Sequence, residues 1–107
     1  MANNYKNAKV DLTSTDITVL YTAPSSTTTI VKSILVSEDS GNADTITLTL
    51  TNSASAVFSL FKVKAVSANA TVELLTGPLV VEESEILKVT AATANRLHVT
   101  ASILEIS

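Results

Sequence analysis

The sequence predicts an all-β fold: a two-sheet β-sandwich of jelly-roll character with eight or nine short strands. Three observations lead there. Thr, Val and Ile supply 35 of the 107 residues, a composition that suits half-buried pleated strands and leaves little room for helices. Apolar and polar residues alternate with period two in several short runs. Clusters of Ser, Asn, Asp, Gly and Pro punctuate those runs at strand-length intervals.

The elements follow in chain order. Residues 1–7, Met1-Ala2-Asn3-Asn4-Tyr5-Lys6-Asn7, are polar and aperiodic. Residues 1–10 are therefore expected as a flexible arm, with a strand or an arm reaching onto a neighbour as the alternative, and residues 11–107 as one domain. Lys9-Val10-Asp11-Leu12 offers a short first strand, stopped by Thr13-Ser14-Thr15-Asp16. Ile17, Val19 and Tyr21 then share a parity that places Tyr21 in the core, until Pro24, which has no amide proton to give a ladder. In the next strand, 27–37, Ile30, Ile34 and Val36 face one way with Lys32, and Val31 and Leu35 face the other with Ser33. Apolar residues on both faces predict cover on both sides, such as a subunit contact.

Glu38-Asp39-Ser40-Gly41-Asn42 reads as a loop, with Gly41 free to take positive φ. Residues 44–51 alternate most cleanly, with Ile46, Leu48 and Leu50 opposed to a Thr face. The strand over 55–66 slips within Val57-Phe58-Ser59-Leu60-Phe61, which predicts a bulge or a face shared with a partner. Short strands follow at 71–76 and 79–81, interrupted by Gly77-Pro78 and ended by the acidic turn Glu82-Glu83-Ser84-Glu85. Leu87, Val89 and Ala91 mark one more strand, and Leu97, Val99, Ala101 and Ile103 the last. A seven-stranded immunoglobulin-like sandwich is the rival, but its Cys…Trp…Cys landmarks are absent.

The chemistry is sparse. No cysteine means no disulfide framework, thiolate metal site or cysteine nucleophile. The net charge of −3 disfavours nucleic acid as a partner, because such binding needs a basic stripe. No apolar run approaches the roughly 18 residues of a membrane span, and the first residues do not read as a signal peptide. Two glycines cannot build the usual phosphate loop or nucleophile elbow. His98, between Leu97 and Val99, points away from the core side and has no local nucleophile to serve, so it reads as a surface or interfacial histidine. The segment 38–44 has some calcium-like oxygens without the EF-hand spacing, and Glu82, Glu83 and Glu85 read as a charged rim. No catalytic residue, cofactor, metal or small-molecule substrate is expected. Lys62 and Lys64 share a parity with Phe58, and with Lys6, Lys9 and Lys32 they carry most of the positive charge. These residues, together with Tyr5, are the candidate contacts to an acidic surface of a partner protein or to another subunit. The lysines also suit a protected edge strand.

Ile17-Thr18-Val19-Leu20-Tyr21-Thr22-Ala23-Pro24, followed by Thr29-Ile30-Val31-Lys32-Ser33-Ile34-Leu35-Val36, resembles small virion proteins of tailed bacteriophages. The resemblance continues through Glu73-Leu74-Leu75, Leu79-Val80-Val81, Ser84-Glu85-Ile86-Leu87-Lys88-Val89 and Leu97-His98-Val99-Thr100-Ala101-Ser102, so it covers about residues 16–106. Ser25-Ser26 stands where such proteins are expected to have glycine. The resemblance implies a head decoration, or cement, protein on the outer capsid surface. Such a protein would be made in the host cytoplasm and would bind the major capsid protein as a homo-oligomer, with a trimer favoured. The alternatives are a neck, tail or fibre component, or a glycan-binding module for host recognition.

Overall fold

The computed structural model describes residues 3–107, which form nine strands in two antiparallel sheets and no helix among the described residues. The strands are β1 (Asn3–Asp11), β2 (Thr18–Thr22), β3 (Thr28–Glu38), β4 (Asp44–Thr51), β5 (Val57–Val66), β6 (Thr71–Glu73), β7 (Leu79–Val81), β8 (Ile86–Ala91) and β9 (Leu97–Ile106). Sheet 1 has the order β1-β9-β3-β6, with β7 also paired to β3. Sheet 2 has the order β2-β8-β4-β5.

These orders describe one long hairpin rolled up. β6 and β7 pair with opposite ends of β3 and act as two halves of a single interrupted strand. Counting them as one, β4 pairs with β5, β3 with β6 and β7, β2 with β8, and β1 with β9. Successive pairs alternate between the sheets, which is the jelly roll expected from the sequence.

Residues 3–10 depart from the expectation. Met1 and Ala2 lie outside the described residues, but Asn3–Asp11 is not a flexible arm. It pairs without a break along β9, from Asn3 opposite Ile106 to Asp11 opposite His98. Its polar composition reflects an edge strand that contributes hydrogen bonds and little apolar burial, since only Ala8 and Val10 pack partly against the core.

The core lies between the sheets and is aliphatic. Val31, Ile34 and Val36 of β3 and Leu97, Val99, Ala101 and Ile103 of β9 meet Ile46 and Leu48 of β4 and Leu87 and Val89 of β8. Two bulges change the faces expected from parity. In β3 the register shifts between Val31 and Ser33, so Val31 joins Ile34 and Val36 inside, while Ile30 and Lys32 turn outward. In β2 the shift between Val19 and Tyr21 leaves Ile17 and Val19 exposed while Tyr21 is buried, as expected. The slip expected in β5 is also present, as two register shifts against β4.

Polar side chains fasten the sandwich at specific places. The Tyr21 hydroxyl donates to Glu105 Oε2 at 2.5 Å and lies 2.7 Å from Thr29 Oγ1, linking β2 in sheet 2 to β9 and β3 in sheet 1. Burial, reinforced by the Glu105 carboxylate, pushes the Tyr21 hydroxyl up to about 12. Glu38 is 2% exposed and accepts from the backbone N–H groups of Ser40, Gly41, Asn42 and Asn69 and from the Ser40 hydroxyl. Burial raises its pKa, but those donors outweigh it and bring the carboxyl from 4.5 down to about 2.

Two outcomes test these contacts. Tyr21→Phe removes the link between the sheets and costs about 1–2 kcal/mol in urea unfolding. A carboxyl whose pKa is depressed by folding stabilises fully above its unfolded value, so the Glu38 contribution is complete above pH 4.5 and is lost progressively towards pH 2. Glu38→Gln should be less stable at pH 7, with a smaller loss of stability than the natural chain between those pH values.

Candidate interaction surface

The sequence candidates separate into two surfaces and one structural residue. Lys6 is the structural one. It lies on the parity of β1 that faces inward, with Nζ 3.5 Å from Glu105 Oε2, the oxygen that accepts from Tyr21. Its charge is spent on the fastening between the sheets.

The first surface is the outer face of sheet 1. Register places Tyr5 of β1 opposite Leu104 of β9, Leu104 opposite Ile30 of β3, and Ile30 opposite Val80 of β7. Four apolar side chains therefore form one cross-strand row, with Tyr5 69% and Val80 53% exposed at its ends. The β3 bulge turns Lys32 onto this face, and its Nζ stands 5.6 Å from the Tyr5 ring centroid, a cation–π contact that spans β9. Lys9 occupies the same face farther along β1, opposite Thr100. Beside the row, Ile30, Lys32, Leu104, Leu75 and Pro78 line an open groove of about 440 Å3.

That groove exists because β6 and β7 do not meet. Residues 74–78 leave the sheet edge, and the Glu73 carboxylate fills the gap by accepting from the backbone N–H groups of Ile34 and Leu75 and from the Ser33 hydroxyl. Burial raises the Glu73 pKa, but these donors prevail and lower it. Leu74 turns into the core, while Leu75 remains at the groove.

The second surface is the β5 edge of sheet 2, where Val57, Phe58 and Val63 are 62%, 51% and 60% exposed beside the exposed Lys62 and Lys64. Val63 has φ 52°, and its N–H donates to Thr47 Oγ1 at 3.1 Å instead of to a strand partner. Left-handed backbone is unfavourable for a β-branched residue, so this bulge stores strain in an exposed valine.

The remaining candidates are His98 and the acidic loop after β3. His98 lies on the outer face of sheet 1 between two carboxylates, with Nε2 3.2 Å from Asp11 and Nδ1 3.6 Å from Asp39. In the loop considered for calcium, Glu38 points inward to backbone amides and Asp44 accepts from the Thr93 N–H. Among the described residues, no three His, Cys, Asp or Glu side chains converge as a metal site.

Residue type singles out Tyr5, Lys9 and Lys32, although parity places Lys32 on the core side, and nothing in the sequence marks Ile30, Leu104 and Val80 beside them, because a cross-strand row is visible only once register is known. Val63→Asn, which tolerates left-handed backbone better, should leave the fold intact and stabilise it by about 1 kcal/mol in urea unfolding. Compared with known proteins, the chain matches no protein-family model and no curated protein.

Proposed function

We propose that the chain is a virion structural protein that decorates and stabilises the head shell of a tailed bacteriophage. It acts as a homo-oligomer, a trimer, seated at capsomer junctions against the major capsid protein. The observation that carries this reading is the row Tyr5–Leu104–Ile30–Val80 on the outer face of sheet 1, with Lys9 and Lys32 beside it. An apolar strip with a cationic border on a rigid sandwich suits packing against another protein whose contact surface is apolar with acidic edges. The resemblance of residues 16–106 to small phage virion proteins supports the same reading. The jelly roll adds an argument from analogy, since that architecture is common among viral coat domains.

Such a role requires no reaction. Many copies on one lattice would hold through multiple simultaneous contacts even if each contact were weak. The outer face of sheet 1 would supply the shell contact, and self-association would add the burial that a 107-residue aliphatic core lacks on its own.

The test is cosedimentation of the purified chain with shells assembled from the major capsid protein of the same virus. Tyr5→Ala combined with Val80→Asp should weaken shell binding at least about tenfold. Both side chains are exposed, so the unfolding free energy should change by no more than about 1 kcal/mol. Unchanged shell binding would remove sheet 1 as the docking face. Binding to neck or tail assemblies in place of shells would overturn the decoration reading.

A further inference from the structure

The two outer strands of sheet 2 have complementary edges. β2 pairs only with β8 and β5 only with β4, so each leaves one side of its backbone without a strand partner. The β5 edge carries exposed Val57, Phe58 and Val63 with Lys62 and Lys64. The β2 edge carries Val19, 52% exposed, and the residues leading into the strand are Asp16 and Ile17, the latter 71% exposed. Among the described residues, the ion pairs involve Lys6, Glu105, His98, Asp11 and Asp39, and none involves Asp16, Lys62 or Lys64.

We propose that β5 of one copy pairs with β2 of the next, joining sheet 2 edge to edge around a closed homotrimer. This rests on the homo-oligomer reading above and names the contact that builds it.

Topology fixes the sense of the pairing. The four strands of sheet 2 alternate in direction, so β2 and β5 run antiparallel. Rotation about an axis parallel to the strands preserves each direction, so β5 meets the neighbour's β2 antiparallel and the alternation continues across the junction. In that sense the C-terminal half of β5, with Lys62, Val63 and Lys64, lies against the segment that leads into the neighbour's β2, Asp16 and Ile17. Opposite charges and apolar side chains then meet together, and Val63 becomes covered. The contact is head-to-tail, and closure into a ring uses every such edge. Sheet 1 then faces outward from the ring, towards subunits that surround a capsomer junction.

The bulges in β5 also make the edge selective. They interrupt the flat ladder that an arbitrary strand could extend, and the lysines repel another β5.

Sedimentation equilibrium of charge-reversed chains tests the pairing. The natural chain should sediment at three times 11.2 kDa. Lys62→Glu with Lys64→Glu, or Asp16→Lys alone, should weaken association at least about tenfold, and combining all three should restore it. A second measurement covers variants that fail to fold. The chain has no cysteine, and β2 and β5 of one copy are separated by three strand spacings, about 14 Å, too far for a disulfide. Asp16→Cys with Lys64→Cys should therefore cross-link only between copies under mild oxidation, giving dimers and trimers on a non-reducing gel.

A monomeric natural chain at all concentrations, or a trimer insensitive to charge reversal and without cross-links, would overturn the edge pairing. A trimer that still binds shells in the latter case would leave the decoration reading standing. A cross-linked trimer with no affinity for shells would sink that reading and leave the edge pairing intact.

Discussion

A backbone amide that loses its strand partner inside a folded domain must find another acceptor, and in this sandwich two glutamates supply it. Glu73 stands where β6 would have continued into β7 along the edge of sheet 1, and its carboxylate receives the amides of Ile34 and Leu75. Glu38 closes the C-terminal end of β3 by collecting the amides of its own loop and of Asn69 in the turn before β6. With both in place, β3 can run on past the break between β6 and β7 on its open side, and residues 74–78 can leave the sheet while the amides of Ile34 and Leu75 keep an acceptor. The groove beside Ile30 and Leu104 follows from that departure. Surface shape is thus set in part by carboxylates acting as hydrogen-bond acceptors.

The regular parts of this architecture were legible in the sequence. Strand β4 was readable because Ile46, Leu48 and Leu50 alternate with threonines and nothing interrupts the count. Parity failed where a residue was inserted. The bulge near Lys32 moved Val31 to the core side, and the bulge in β2 placed Tyr21 inside although Ile17 and Val19 are exposed. Composition also misled at Asn3–Asp11, where polar residues suit an edge strand as well as a loose arm. Among the candidate contacts, Tyr5 and Lys32 were recognisable by type, but their meeting across β9 was not, because it depends on a register and a bulge that no local pattern encodes. Lys6 looked identical to the other lysines until Glu105 was seen beside it.

The exposed surface divides its labour. The face of sheet 1 is broad and regular, with one apolar row. The edge of sheet 2 is narrow, bulged and strained at Val63. A broad regular face tolerates small shifts in what lies on it, whereas a bulged edge accepts only a partner that matches its irregularity. The proposed assignment of shell contact to the face and self-contact to the edge follows this difference in selectivity.

The rolled hairpin also dictates an order of events. β4 and β5 are neighbours in sequence, but β1 pairs with β9, at the far end of the chain. Pairings so distant in sequence raise the contact order, the topological feature that goes with slower folding at a given size. As the chain leaves the ribosome, the first strand made must wait for the last before it has a partner. An apolar strand left waiting would invite aggregation. The asparagines and lysines of Asn3–Asp11 make that unpaired strand a poor template for aggregation, so a segment that contributes little to the core is also the one that can best remain unpaired.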